Sequence, residues 1–176
     1  LKQANRYAIM SEMRFCEISV KAFDVYMDEQ QDGSFLHSTQ MSRRRQDDGW
    51  ESTFVGVYSD ADKLQGVALL YSRKVFWKYT YFECLEGPVC DYSNDALVSY
   101  FLSQIMDFAK KRNALEVIID PPVLARHWGS NRQIIEDDFD STYITQLVEK
   151  SGFMKIPDEL VDTDALKLRW YFVKDL

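Results

Sequence analysis

Asp120 ends the apolar run Leu115-Glu-Val-Ile-Ile and is followed at once by Pro121 and Pro122. Two consecutive prolines push the chain into extended geometry and stop the strand. The carboxylate is thereby held at the mouth of a sheet, a position suited to an acid or base. The same carboxylate could instead accept backbone amides or cap the following turn. A different chemistry is open to Arg43, Arg44 and Arg45, the densest positive cluster in the chain, which follows the polar pair Thr39-Gln40. Guanidinium groups can hold a phosphate or pyrophosphate through paired, charge-assisted hydrogen bonds. The alternative is a solvated helix face whose cations pair with Asp47 and Asp48. Finally, Glu86-Gly87-Pro88-Val89 stands directly before Asp91 and Tyr92, where it can shape a groove or serve as a simple turn.

Other chemistries find little support. His37 and His127 lack companions at ligand spacing, so no metal site is expected. Cys16, Cys84 and Cys90 include no Cys-x-x-Cys pair and read as reduced packing residues. The chain carries no Gly-x-Ser-x-Gly elbow, Walker A loop or Gly-x-Gly-x-x-Gly fingerprint, which removes the commonest hydrolase, nucleotide-hydrolase and dinucleotide readings. A formal charge of -7, from 21 Lys+Arg against 28 Asp+Glu, argues against a broad nucleic-acid footprint. The aromatic stripe Tyr71, Phe76, Trp77, Tyr79, Tyr81 and Phe82 reads as core and sheet face rather than as a base-stacking platform.

The elements that must position these residues follow from pattern. With 176 residues, 46% hydrophobic and 28% charged, the chain fits one globular domain with a sizeable core. Alternation over 14–19 predicts a strand. Val20, Phe23, Tyr26 and Met27 then recur at helical spacing over 20–31, with Ser19 as N-cap. A short capped helix is expected from Thr39 to Asp48, stopped by Gly49. Segments 50–58, 65–75 and 76–82 form an antiparallel meander that Gly87 and Pro88 interrupt. Asn94 caps a helix running to Arg112, with Leu97, Tyr100, Phe101, Ile105, Phe108 and Ala109 on one stripe. A strand at 115–120, a helix at 141–151 and strands at 153–156 and 166–173 complete an α+β order, a mainly antiparallel mixed sheet flanked by helices. Residues 1–12 read as an upstream segment and 13–176 as a single unit. No run approaches the ~20 apolar residues of a spanning helix, so a cytoplasmic location is expected.

Several segments, in order, resemble the Fem family of aminoacyltransferases, which build the interpeptide bridges of bacterial peptidoglycan. They are Met13-Arg-Phe-Cys-Glu-Ile-Ser, Phe35-Leu-His-Ser-Thr-Gln, Gly49-Trp-Glu, Phe54-Val-Gly-Val-Tyr and Gly66-Val-Ala-Leu-Leu, then Glu86-Gly-Pro-Val-Cys-Asp-Tyr, Ile119-Asp-Pro, Gly152-Phe and Leu168-Arg-Trp-Tyr-Phe-Val-Lys-Asp-Leu. The resemblance is to the family's N-terminal half and implies the first of two acetyltransferase-like (GNAT-like) subdomains, inactive when isolated. It implies no cofactor, with aminoacyl-tRNA as co-substrate held mostly by the other half. The acceptor would be a peptidoglycan precursor, UDP-MurNAc-pentapeptide or lipid II, and peripheral membrane association would be compatible with it. By position, Asp120 matches the family's Asp-Pro aspartate, considered as its acid/base. Arg44 or Arg45 matches its phosphate-holding cation, and Gln40, Gly87, Pro88, Asp91 and Tyr92 fall in its substrate cleft. Glu86 stands where the family usually has Arg or Lys, and the helix after Gln40 lacks the usual aromatic residue. Two other classes remain open: a non-catalytic interaction domain of this fold, and a small-molecule N-acetyltransferase, which the missing Arg-x-x-Gly-x-Gly/Ala loop disfavours.

Overall fold

The computed structural model describes residues 13–30, 34–122, 127–128, 134–135, 142–156 and 172–175; the segment 1–12 lies outside them. The strands are β1 (Arg14–Glu17), β2 (Glu51–Tyr58), β3 (Leu64–Val75), β4 (Tyr79–Cys84), β5 (Val89–Cys90), β6 (Ala114–Ile119), β7 (His127–Trp128), β8 (Ile134–Ile135), β9 (Met154–Lys155) and β10 (Phe172–Asp175). The helices are α1 (Val20–Asp28), α2 (Thr39–Asp47), α3 (Asp95–Lys110) and α4 (Thr142–Lys150), and Phe35–His37 forms a 3-10 turn. One sheet runs in the order β1-β2-β3-β4-β6-β10-β9, with β5 also paired to β3, while β7 and β8 form a separate ribbon. Its pairings are antiparallel except β4 with β6. A parallel neighbour requires a crossover, and α3 supplies it.

Local chemistry explains the helix starts. The side chains of Ser19, Ser38 and Asn94 accept from the amides of Ala22, Met41 and Leu97 at 3.1, 3.2 and 3.1 Å, filling orphan donors at three N-termini. Gly49 follows α2 at φ +83°, with its amide on Gln46 O and the Trp50 amide returning to Arg45 O. A left-handed residue at that place ends a helix without Cβ strain.

The sheet separates two cores. On one face Phe23 packs with Val67, Leu69 and Tyr71, supported by Met27, Met41, Trp50 and Phe54. On the other, α3 presents Leu97, Val98, Phe101, Leu102, Ile105, Phe108 and Ala109, a full apolar stripe, to Leu70, Phe82, Cys84, Val117 and Ile119, with Leu147 and Val148 of α4 in the same cluster.

Three expectations need correction. α1 ends at Asp28 rather than reaching Gln31: the Glu29 amide turns back to Tyr26 O at 3.3 Å and the Gln30 amide to Met27 O at 3.0 Å. The strand expected from Phe76 starts at Tyr79, because Phe76–Lys78 make the β3–β4 hairpin turn, with Phe76 and Trp77 at φ +40° and +36°. The β-rich composition there reflects exposed tip residues, not ladder positions. The last strand occupies 172–175, and the remainder of the expected 166–173 lies outside the described residues.

Candidate functional site

The site begins where β4 fails to continue regularly. Glu83 pairs with Tyr71 and Val89 with Val67, so β3 advances four residues while the opposite chain advances six. The two surplus residues bulge out of the ladder in the segment Leu85–Pro88, with Glu86 at φ +49° and a cis peptide at Gly87-Pro88. Such bulges re-aim the backbone at sites. β6 runs alongside, and one residue past its end the Asp120 amide donates to Cys84 O at 3.0 Å while Asp120 makes an antiparallel bridge with Gly87. Asp120, only 5% exposed, is therefore held by its backbone against the looped-out segment.

Tyr92 closes the same corner, its hydroxyl donating to Pro88 O at 2.6 Å. Burial, with Cys90, Cys84 and Asp120 adding to it, pushes that phenol well above its ordinary value. Burial also raises both neighbouring thiols, Cys90 to about 12 and Cys84 further. Neither is a thiolate at neutral pH, so neither is a competent nucleophile. What remains at this corner is a buried carboxylate, suited to holding or moving a proton.

His37 ties this corner to the opposite face. Fully buried, its ring donates from Nδ1 to Leu85 O at 2.9 Å and accepts at Nε2 from the Leu69 amide at 3.1 Å. These two partners have opposite polarity, which fixes the neutral tautomer. Burial lowers its pKa to about 4. A Cβ at Gly87 would overlap His37 Cε1 and reach 2.8 Å from Cys84 Sγ, so only glycine lets the loop pass between them. Sequence reasoning considered His37 only as a metal ligand; its spacing contains no signal of a fold contact 48 residues away.

The two arginines have separate fates. Arg45 lies under the sheet with its guanidinium 4.5 Å from the Trp50 ring centre and 5.0 Å from that of Tyr71. Its Nη2 is 2.8 Å from Glu83 Oε2, an ion pair by distance though not an aligned hydrogen bond. Arg44 stands on the surface, its side chain 66% exposed and 3.4 Å from Asp48 Oδ1, a contact of a class worth little. Its guanidinium is available to an anion, whereas that of Arg45 is occupied.

Among the sequence-predicted residues, Asp120, Gly87, Pro88 and Tyr92 thus come together. Asp91 does not join them: exposed, it accepts from the Ser93 amide at 2.9 Å and hydroxyl at 2.6 Å, organising the turn into α3. Gln40 is exposed on α2 and lines a cavity of about 310 Å³ with Asp24, Asp28 and His37. Two carboxylates, with no cation among the described lining residues, make that cavity a poor phosphate holder. Among the described residues no group of His, Cys, Asp and Glu could hold a metal ion, and no helix is long and apolar enough to cross a membrane.

Comparison with known proteins identifies the family and the fold. The FemAB family profile matches residues 18–176. The aminoacyltransferase FemA of Staphylococcus aureus strain bovine RF122 / ET3-1 is 24% identical, over 93% of this chain and 39% of its own length, and FemA of strain MW2 matches equally; the chain therefore spans about two fifths of these relatives. The crystal structure of FemX superposes with a TM-score of 0.66 at 23% identity, covering 85% of this chain and 34% of that one. Naa50 of Arabidopsis thaliana, solved with a bisubstrate analogue, gives 0.59 at 11% identity over 94% of this chain and 99% of its own. At those identities the structures speak for the fold alone, which is the GNAT-like α+β fold expected from the sequence. The profile match covers most of the chain, from α1 through β10, and on that ground the chain belongs to the FemAB family.

Proposed function

We propose that this chain is the N-terminal GNAT-like subdomain of an aminoacyltransferase that transfers an amino acid from aminoacyl-tRNA to the stem peptide of a peptidoglycan precursor. The observation that carries the reading is the buried Asp120, bridged through its backbone to Gly87 of the bulge, in a chain of this family. In the reaction an acceptor amine attacks the ester carbonyl carbon of the donor. A C–N bond forms, the ester C–O bond breaks and the tRNA hydroxyl departs. Asp120 takes the proton lost by the amine and hands it to the departing oxygen. Burial keeps the Cys84 and Cys90 thiols protonated, which disfavours either as the carrier of a thioester and accords with direct attack by the amine.

Arg44 is the cation we assign to precursor phosphates, because Arg45 is engaged by Glu83, Trp50 and Tyr71. Arg45 serves instead to fasten α2, and with it Arg44, onto β3 and β4. The rest of the longer protein would supply the second subdomain, most of the tRNA surface and the remainder of the cleft. The test is transfer by the longer protein with Asp120→Asn. A fall in kcat of order 10²-fold with precursor affinity kept is expected, and an unchanged kcat refutes the proton-transfer role.

A further inference from the structure

The hairpin between β3 and β4 carries a feature that the transferase reading leaves unused. Phe76 is 79% exposed and Trp77 fully so, the latter at 104%. Both sit at the apex with positive φ, a backbone region that bulky L-residues seldom adopt. Tyr79 and Leu115, at 37% and 38%, flank the base on β4 and β6. Single exposed apolar residues are ordinary; four large ones gathered at one end of a sheet are not.

Cations surround them. Arg73 and Lys74 are exposed on the β3 arm of the hairpin and Lys78 in its turn. Thr80 binds the end of α3 through its hydroxyl on Arg112 O and its amide on Asn113 O, which brings exposed Lys110 and Lys111 beside it. The segment 71–82 contains no acidic residue, and the nearest ladder carboxylates are Glu51, opposite Ser72, and Glu116, opposite Tyr81. This basic end belongs to a chain of net charge -7.

We infer that the Phe76-Trp77 hairpin tip is a peripheral membrane anchor, seating its two aromatic rings in the interfacial region of a bilayer while Arg73, Lys74, Lys78, Lys110 and Lys111 face anionic headgroups. Aromatic rings favour that interface, and cations near an anionic surface are drawn to it. A protruding apex suits insertion into lipid. It forms no concave basic channel of the kind that tracks a nucleic-acid backbone, so RNA is the weaker occupant. The β4 strand separates this tip from Asp120 by six residues, about 20 Å, so a seated tip leaves the Gly87–Asp120 corner open. The inference does not depend on the transferase reading.

The test is sedimentation of the chain with vesicles of phosphatidylcholine alone and with 30% phosphatidylglycerol. We expect at least tenfold stronger partitioning onto the anionic vesicles, abolished by Phe76→Ser with Trp77→Ser and reduced at least threefold by Lys74→Glu with Lys78→Glu. Because the chain has four tryptophans, Trp77→Phe in brominated-lipid vesicles supplies an independent reading: binding is kept, and the quenched fraction of tryptophan emission is lost. Equal partitioning by the double-serine variant, with its circular dichroism spectrum unchanged, overturns the inference. So does a tip-dependent dimer, or tip-dependent binding to bulk tRNA, in a protein that ignores vesicles.

Discussion

His37 makes stability depend on pH in a way that can be isolated. Its ring holds two backbone groups of opposite polarity, Leu85 O and the Leu69 amide. A proton on Nε2 would set N–H against N–H. Burial keeps the imidazole neutral in the fold down to about pH 4 from an ordinary 6.5, and these two partners suit that neutral form. Below about pH 6.5 the unfolded chain gains a proton there that the folded chain refuses, so stability falls as pH drops toward 4 and this group contributes no further loss below that. At about 1.4 kcal/mol per pH unit at most, the window amounts to about 3 kcal/mol. His37→Gln removes the titration. At pH 7 it is expected to destabilise by about 1–3 kcal/mol through imperfectly satisfied backbone groups. Urea unfolding of both proteins at pH 7, 6, 5 and 4 reads the difference, in which the groups common to both proteins largely cancel. The stability difference between His37 and Gln should change by about 3 kcal/mol in favour of Gln between pH 7 and 4, so that the advantage of His37 vanishes or reverses. A gap independent of pH would refute the reasoning.

Three further substitutions probe the surroundings of the site. Gly87→Ala places a methyl group onto His37 Cε1 and Cys84 Sγ and is expected to destabilise by about 1–3 kcal/mol, seen as a lower urea midpoint at unchanged slope. Arg45→Ala strands Glu83, whose side chain is 17% exposed, and removes the contacts to Trp50 and Tyr71; a loss of about 2 kcal/mol is expected. Arg44→Ala on the open surface should stay within about 0.5 kcal/mol of the parent, so thermal unfolding of the pair separates fastening from binding.

The parts of this structure legible in the sequence are those governed by local rules. The α3 stripe, the caps at Ser19 and Asn94 and the stop at Gly49 all depend on neighbours within a turn, and they appear where expected. The position of Asp120 just past β6 was legible because a buried strand and two prolines leave its backbone little choice. The role of His37 was not, since its partners Leu69 and Leu85 lie 32 and 48 residues away. The division of labour between Arg44 and Arg45 was hidden for a similar reason: only the packing of α2 on the sheet decides which guanidinium meets Trp50, Tyr71 and Glu83. The Phe76-Trp77 tip misled the strand assignment because aromatic residues are frequent in strands, and composition does not reveal which aromatics face solvent at a turn.

The most direct test of the central claim is calorimetric titration of the folded chain with UDP-MurNAc-pentapeptide at low and moderate salt, alongside Arg44→Ala. The account expects saturable binding that salt weakens and that the substitution weakens by about tenfold or more, as befits loss of a charge-assisted hydrogen bond to phosphate. Equal affinity in parent and Arg44→Ala, or no binding by a chain shown to be folded, would contradict it.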